Sequence, residues 1–301
     1  MDAQITKRSA LKFVILLGFV SLFADMTYEG ARSIIGPYLS ILGANAFIVG
    51  LASGFGELIG YSFRLLFGYL SDKTHKYWSF TIFGYIINLI AVPLLALAGN
   101  WPLSMFLIFM ERFGKAVRSP AKDALLSYAA KQTGRGWGFG LHEALDQIGA
   151  ILGPLFVTAI LFYQNSYTKS FAWLIVPAVC SLAVLLVAWR LYPNPKDLEV
   201  QKISLQGTGL SKNYWTYIVA ICCLATGFVD FPLVAYHFKK TDLMEDSYIP
   251  LLFSLAMAAD GMAALIFGKL YDYKGMVILI IASIAACLFA PLTFLAMAIQ
   301  L

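Results

Sequence analysis

Ionisable residues set inside long apolar runs are what this sequence offers for chemistry. Asp25, Glu29 and Arg32 stand at i, i+4 and i+7 in the run 11–39, which puts all three on one face of a helix. Glu57 and Arg64 repeat the seven-residue spacing in the run 46–70. Glu111 and Arg112 lie in 102–118, and His142, Glu143 and Asp146, with Gln147 beside them, lie in 137–162. Asp230 falls in 213–237 and Asp260 in 247–270. A charge at the centre of a membrane helix costs roughly 2.5–3.5 kcal/mol on insertion scales, so such groups face a polar cavity or one another.

Fixed ion pairs that only lock helices together, such as Glu57 with Arg64 or Glu29 with Arg32, account for part of this set. Glu111 and Arg112 sit near the expected cytoplasmic end of their run, where a snorkelling salt bridge is the simpler reading. The set as a whole exceeds what a merely structural bundle needs, and it predicts a polar central pathway. Carboxylates in a low-dielectric cavity can take up and release protons. Asp25, Glu29, Glu143 and Asp146 are the residues expected to do so, with Arg32 and Arg64 as anion ligands or counter-charges. Glu57, Arg112, His142 and Asp230 complete the expected substrate and proton pathway.

Those residues need elements that cross a bilayer. Of 301 residues 60% are apolar and 13% charged, and the mean hydropathy is +0.75. A water-soluble domain carries about a quarter charged residues. The solvent here is therefore lipid. Nine runs have the length that spans roughly 30 Å of hydrocarbon: 11–39, 46–70, 78–99, 102–118, 137–162, 169–192, 213–237, 247–270 and 275–299. Their length, and the lack of a ten-residue alternation, predict helices rather than a barrel.

With the N-terminus in the cytoplasm, 16 of the 22 Lys and Arg fall on the cytoplasmic side, Lys115, Arg118 and Lys122 among them. Three, Lys169, Lys239 and Lys240, fall opposite. This bias sets the expected orientation of a multi-pass protein of the cell membrane. Lys7, Arg8 and Lys12 precede the first run, but no small-residue cleavage site follows, so that run is expected to be a retained helix. The polar stretch 193–212 reads as a cytoplasmic linker between a six-helix unit, 1–192, and a three-helix unit, 213–301. Cys180, Cys222, Cys223 and Cys287 lie inside apolar runs and read as small core residues.

No metal, cofactor or nucleic-acid partner is expected: the three histidines are scattered, and the net charge of +5 is explained by topology. A membrane enzyme would need a catalytic constellation at an interface. The stretch expected to be a cytoplasmic loop, Lys115 to Arg135, holds Asp123 but no His or Cys.

The sequence also repeats itself. FGYLSD at 67–72 returns as FGKLYD at 267–272, an offset of 200, and each copy closes an apolar run on the cytoplasmic side. The stretch Gly68-Tyr69-Leu70-Ser71-Asp72-Lys73-Thr74-His75-Lys76 resembles the signature loop of the major facilitator superfamily, G-x-L-x-D-R/K-x-G-R/K, departing from it at His75. Gly36-Pro37-Tyr38-Leu39 with Leu42-Gly43 resembles that family's end to its first helix. Gly140, Gly149, Gly153 and Pro154 resemble the G-x8-G-x3-G-P pattern of its proton-coupled antiporters, with Val157 and Thr158 where that pattern closes on Gly-Gly.

The resemblance implies an all-α, polytopic membrane fold of two parallel six-helix bundles. The second bundle would be incomplete here, at about nine transmembrane helices and without the last three. It further implies a secondary transporter working by alternating access on a small-molecule substrate, with protons as coupling partner and export the favoured direction. A missing C-terminal portion would then be a further partner, and a non-transporting fragment or scaffold the alternative. Gly68, Asp72, Lys73, Lys76, Gly268 and Asp272 would be its conformational loop residues, with the helix-five glycines and Pro154 giving a bendable face. Helices one, two, four and five would line the cavity, and those are the charged ones; helices three and six carry almost no charge, Asn88 being the buried polar residue of helix three.

Overall fold

The computed structural model describes residues 2–133, 135–194, 212–226 and 229–299. Among them the chain is helical with no strand: α1 Asp2–Ile41, α2 Ala46–Thr74, α3 Tyr77–Leu94, α4 Trp101–Thr133, α5 Arg135–Gln164, α6 Tyr167–Trp173, α7 Ile175–Leu191, α8 Lys212–Thr226, α9 Phe231–Lys240, α10 Tyr248–Lys274 and α11 Met276–Ile299. Six stretches in these residues are long and apolar enough to cross a membrane: Arg8–Ile41, Ala46–Thr74, Tyr77–Leu97, Trp137–Gln164, Tyr167–Leu191 and Tyr248–Phe267.

Local signals set the ends. The Asn45 side chain accepts from the Ile48 N–H at 2.9 Å to open α2, and Ser166 does the same for Lys169 N–H at 3.4 Å to open α6. At the end of α2, His75 takes a left-handed backbone, φ 55°, and its N–H reaches the Ser71 carbonyl. Gly275, at φ 59°, separates α10 from α11 in the same way.

Two elements differ from expectation. The run 102–118 belongs to a helix that continues to Thr133, with Pro120 inside it. Its second half is charged, which lowers hydropathy below that of a membrane span while leaving helix propensity intact. Lys115 to Thr133 is therefore helix, not a cytoplasmic loop. The run 213–237 is not one helix: Val229 and Asp230 are non-helical and α9 starts at Phe231. Pro232 explains the restart, since a proline suits the first turn of a helix but cannot continue one without losing a hydrogen bond. The expected linker 193–212 lies almost wholly outside the described residues.

The chain forms two compact units, Met1–Gln201 with Phe231–Ala258, and Lys202–Asp230 with Ala259–Leu301. In the first, α1 is central. In its most apolar stretch 61% of the residues are buried, against 22% in α2, and it packs on α5, α9, α7 and α4. Lipid tails are as apolar as leucine, so association here relies on close packing rather than on the hydrophobic effect. The α1–α5 seam shows how: a Cβ on Gly149 would run into the Leu22 carbonyl, and one on Gly153 into the Met26 carbonyl and the Gly30 backbone. Gly84 on α3 and Gly114 on α4 make a second backbone-to-backbone contact. α9 leans on α1 where Gly36 faces the backbone of Pro232 and Tyr236. In the second unit, α8 carries Cys222 and Cys223, both exposed, and α11 carries Cys287, also exposed; of the four cysteines only Cys180 is even half-buried, against the expectation of core residues.

Candidate functional site

Two charged layers lie inside the first unit, both built on α1 and α4. The first gathers Glu29 and Arg32 from α1, Glu57 from α2, and Glu111 and Arg112 from α4. Arg32 lies 3.7 Å from Glu29 and 3.6 Å from Glu57, while Arg112 lies 3.3 Å from Glu57 and 3.3 Å from Glu111. The Arg112 Nε–Glu111 contact is an ion pair without hydrogen-bond geometry. Asn88 of α3 closes the layer, donating at 2.7 Å to the Glu111 carboxylate and at 3.0 Å to the Glu111 carbonyl. A narrow cleft with room for about one water is lined by Tyr28, Arg32, Ile35, Ile108, Glu111 and Arg112.

The i, i+7 pairing expected of Glu57 does not form: Glu57 is held between Arg32 and Arg112, and the Arg64 guanidinium lies 5.1 Å from the Tyr61 ring centroid. Glu111 and Arg112 are likewise not at a snorkelling helix end. Both are buried, with α4 continuing from Arg112 as far as Thr133.

The second layer was not expected. Lys115, Arg118 and Lys122 follow one another at i, i+3 and i+7 on α4, and all three turn into the bundle. Lys115 Nζ lies 3.9 Å from the centroid of Tyr28, and the Arg118 guanidinium 4.2 Å from that of Tyr85 and 5.8 Å from that of Tyr28. Lys122 Nζ donates to Ser21 Oγ at 3.3 Å, and Ser21 Oγ is 3.0 Å from His142 Nε2. His142 Nδ1 faces Asp146 at 3.7 Å. Asp25 is buried on α1, and Arg118 is only 3% exposed. The i, i+3, i+7 spacing was the available signal. It carries meaning only if the helix runs past Pro120, as it does.

The remaining expected residues are placed as follows. Glu143 is exposed on α5, and Asp230 is half-buried in the second unit just before α9. His142, Glu143 and Asp146 bring ligand atoms within 4.8 Å of one another, but Lys122 Nζ, 3.5 Å from His142 Nε2, opposes a metal cation there. In the loop, the Tyr77 hydroxyl donates to Asp72 at 3.3 Å, Lys73 Nζ lies 5.7 Å from the Tyr69 ring centroid, and Lys76 is exposed before α3. A Cβ on Gly68 would meet Pro120 at an ordinary 3.6 Å, and one on Gly140 would meet nothing. Neither glycine is required for close packing in this conformation, unlike Gly149 and Gly153. Pro154 sits inside an unbroken α5, its carbonyl accepting from the Thr158 hydroxyl at 2.9 Å. Gly268 and Asp272 fall in α10, and the Asp272 side chain is outside what the structure describes.

The bundle carries its charge on α1, α2, α4 and α5, and the repeated motif lies at the ends of α2 and α10. The model of the Major Facilitator Superfamily matches residues 16–301. The chain belongs to the major facilitator superfamily. It is a multi-pass membrane protein of a transporter family rather than of an enzyme family. An uncharacterised protein of Mycobacterium tuberculosis (strain ATCC 25618 / H37Rv) is 41% identical over 292 residues, covering 94% of this chain and 71% of its own length. An uncharacterised MFS-type transporter of Methanocaldococcus jannaschii is 32% identical over 196 residues, covering 64% of this chain and 48% of that protein.

Among solved structures the fold resembles the nucleoside transporter NupG, with a TM-score of 0.68 at 16% identity over 88% of this chain and 69% of that one. It also resembles a bacterial homologue of the human lysosomal transporter Spinster, in an inward-facing and unoccupied conformation. There the TM-score is 0.65 at 14% identity, over 88% of this chain and 63% of that one. The chain thus spans about two-thirds of those two structures and about half of the methanogen transporter.

Proposed function

We propose that the chain carries a small solute across the cell membrane by alternating access, coupled to protons and in the direction of export, with its N-terminus in the cytoplasm. One observation carries the reading. The cations Arg32, Arg112, Lys115, Arg118 and Lys122 and the acids Asp25, Glu29, Glu57, Glu111 and Asp146 are gathered, buried or half-buried, between four helices of a membrane protein. So many desolvated charges are a poor way to stabilise a bundle and a good way to line a polar path. Substrate binds beside these layers, and the protein exposes it first to one side and then to the other.

Asp146 is the proposed proton carrier, because it is half-buried, faces His142, and shares its layer with Asp25. Proton release from such a carboxylate is coupled to the charge of whatever occupies the layer. The helix-five pattern Gly140, Gly149, Gly153, Pro154 favours export, since it resembles that of proton-coupled antiporters. Asp146→Asn keeps the shape and removes the titration. It is expected to abolish gradient-driven flux in proteoliposomes while leaving the amount of folded protein unchanged. Undiminished flux removes Asp146 from the mechanism.

A further inference from the structure

We infer that the second charged layer is an anion site, and that the transported solute carries a carboxylate or phosphate group that docks on Arg118 and Lys122. This rests on the carrier reading above and adds the substrate class to it.

The two layers differ in how their charge is met. Around Arg32 and Arg112 stand three acids, Glu29, Glu57 and Glu111, all within ion-pair distance of one or other guanidinium. That layer has no vacancy for another negative group. Around Arg118 and Lys122 the acids are Asp25 and Asp146, both on other helices, with Asp123 exposed at 3.9 Å from Lys122, while Lys115 also feels Glu29 and Glu111 of the first layer. Among the described residues Lys115 and Arg118 make no ion pair within 4 Å, and they lie over the faces of Tyr28 and Tyr85.

A ring face offsets only a fraction of the desolvation of a buried cation. Arg118 is almost wholly buried, and its Nε has no hydrogen-bond partner among the described residues. A guanidinium offers five donors in a planar fork, the shape that takes a carboxylate or phosphate in a bidentate grip. Lys122, one turn further along α4, spends one donor on Ser21 and adds a second buried positive charge. Stacked tyrosines hold the cations in place without neutralising them. The donors of the buried Arg118 fork are thereby left for an anion.

The test uses the full chain purified in detergent, its thermal unfolding followed at constant ionic strength. Inorganic phosphate, citrate and glucose 6-phosphate are compared with choline, spermidine and glucose. At least one anion is expected to raise the melting temperature, with choline, spermidine and glucose inert. The response to citrate against that to phosphate and glucose 6-phosphate tells a carboxylate solute from a phosphorylated one. Lys122→Gln and Arg118→Gln are each expected to weaken that anion about tenfold or more, the loss of one charge-assisted contact. Arg118→Lys is expected to recover part of it, which a purely structural defect does not allow.

Stabilisation by choline, spermidine or glucose with none by the anions overturns the anion site and leaves the carrier reading standing. An anion shift that survives both substitutions, or no shift with any of the three anions, also overturns it. An anion that binds in this way but is not moved by the protein in proteoliposomes overturns the carrier reading and leaves the site intact.

Discussion

His75 and Gly275, separated by the 200-residue offset of the sequence repeat, adopt the same left-handed backbone, with φ of 55° and 59°. Each follows the aspartate of its copy, Asp72 or Asp272, by three residues and ends the helix that carries it. The repeat is thus one of backbone conformation as well as of letters. Glycine occupies this conformation without penalty, whereas a side chain costs about 1 kcal/mol. His75 accepts that cost where the superfamily pattern has glycine.

His75→Gly is therefore expected to stabilise the protein by about 1 kcal/mol, less what glycine returns to the unfolded chain as entropy. Thermal unfolding of the purified variant checks this. A lowered melting temperature shows that the His75 side chain has a role that outweighs its backbone strain.

The seam between α1 and α5 separates packing glycines from dispensable ones. Gly153→Leu and Gly149→Val are expected to lower stability by several kcal/mol, because the new side chains collide with α1 backbone that cannot move aside. Gly140→Ala, with open space around it, and Gly68→Ala, with its 3.6 Å clearance from Pro120, are expected to fold normally. Comparing expression and melting across the four variants checks the contrast. Equal effects at all four positions contradict the seam.

In the Glu29–Arg112 layer the order of sensitivity follows burial. Arg112→Gln leaves Glu111, which is 7% exposed, without its counter-charge, and is expected to destabilise by about 3 kcal/mol or more. Glu57, whose side chain is 35% exposed, is solvated enough that Glu57→Gln is expected to cost under about 1 kcal/mol. Denaturation of both variants and of the double variant gives the coupling between them. The reverse order contradicts the placement of Glu57 at the edge of the layer.

The helices were legible because membrane spans are long and monotonous, and because motifs such as Gly68 to Lys76 mark their ends. The charges on α1, α2 and α5 were legible for the same reason, as polar letters in apolar text. What escaped was contextual. The second half of α4 reads as a loop by hydropathy, so Lys115, Arg118 and Lys122 were read as loop residues although they sit on a helix and turn into the bundle. Spacing along one helix offered Arg64 as the partner of Glu57, but the partners come from two other helices, and only the packing of α4 against α2 and the reach of Arg32 from α1 reveal them. The restart of α9 was written in Phe231-Pro232 and hidden by the apolar residues on both sides.

The central claim, proton-coupled movement of a solute, is tested most directly in inside-out membrane vesicles energised to an acid interior. Internal pH is followed with a dye while defined pools of small solutes are added to the medium. Vesicles holding the protein are expected to lose acidity with at least one pool, and vesicles holding Asp146→Asn at equal abundance are expected not to. If every pool gives the same trace with the protein, without it and with the variant, the chain does not exchange protons for solute and the account is contradicted.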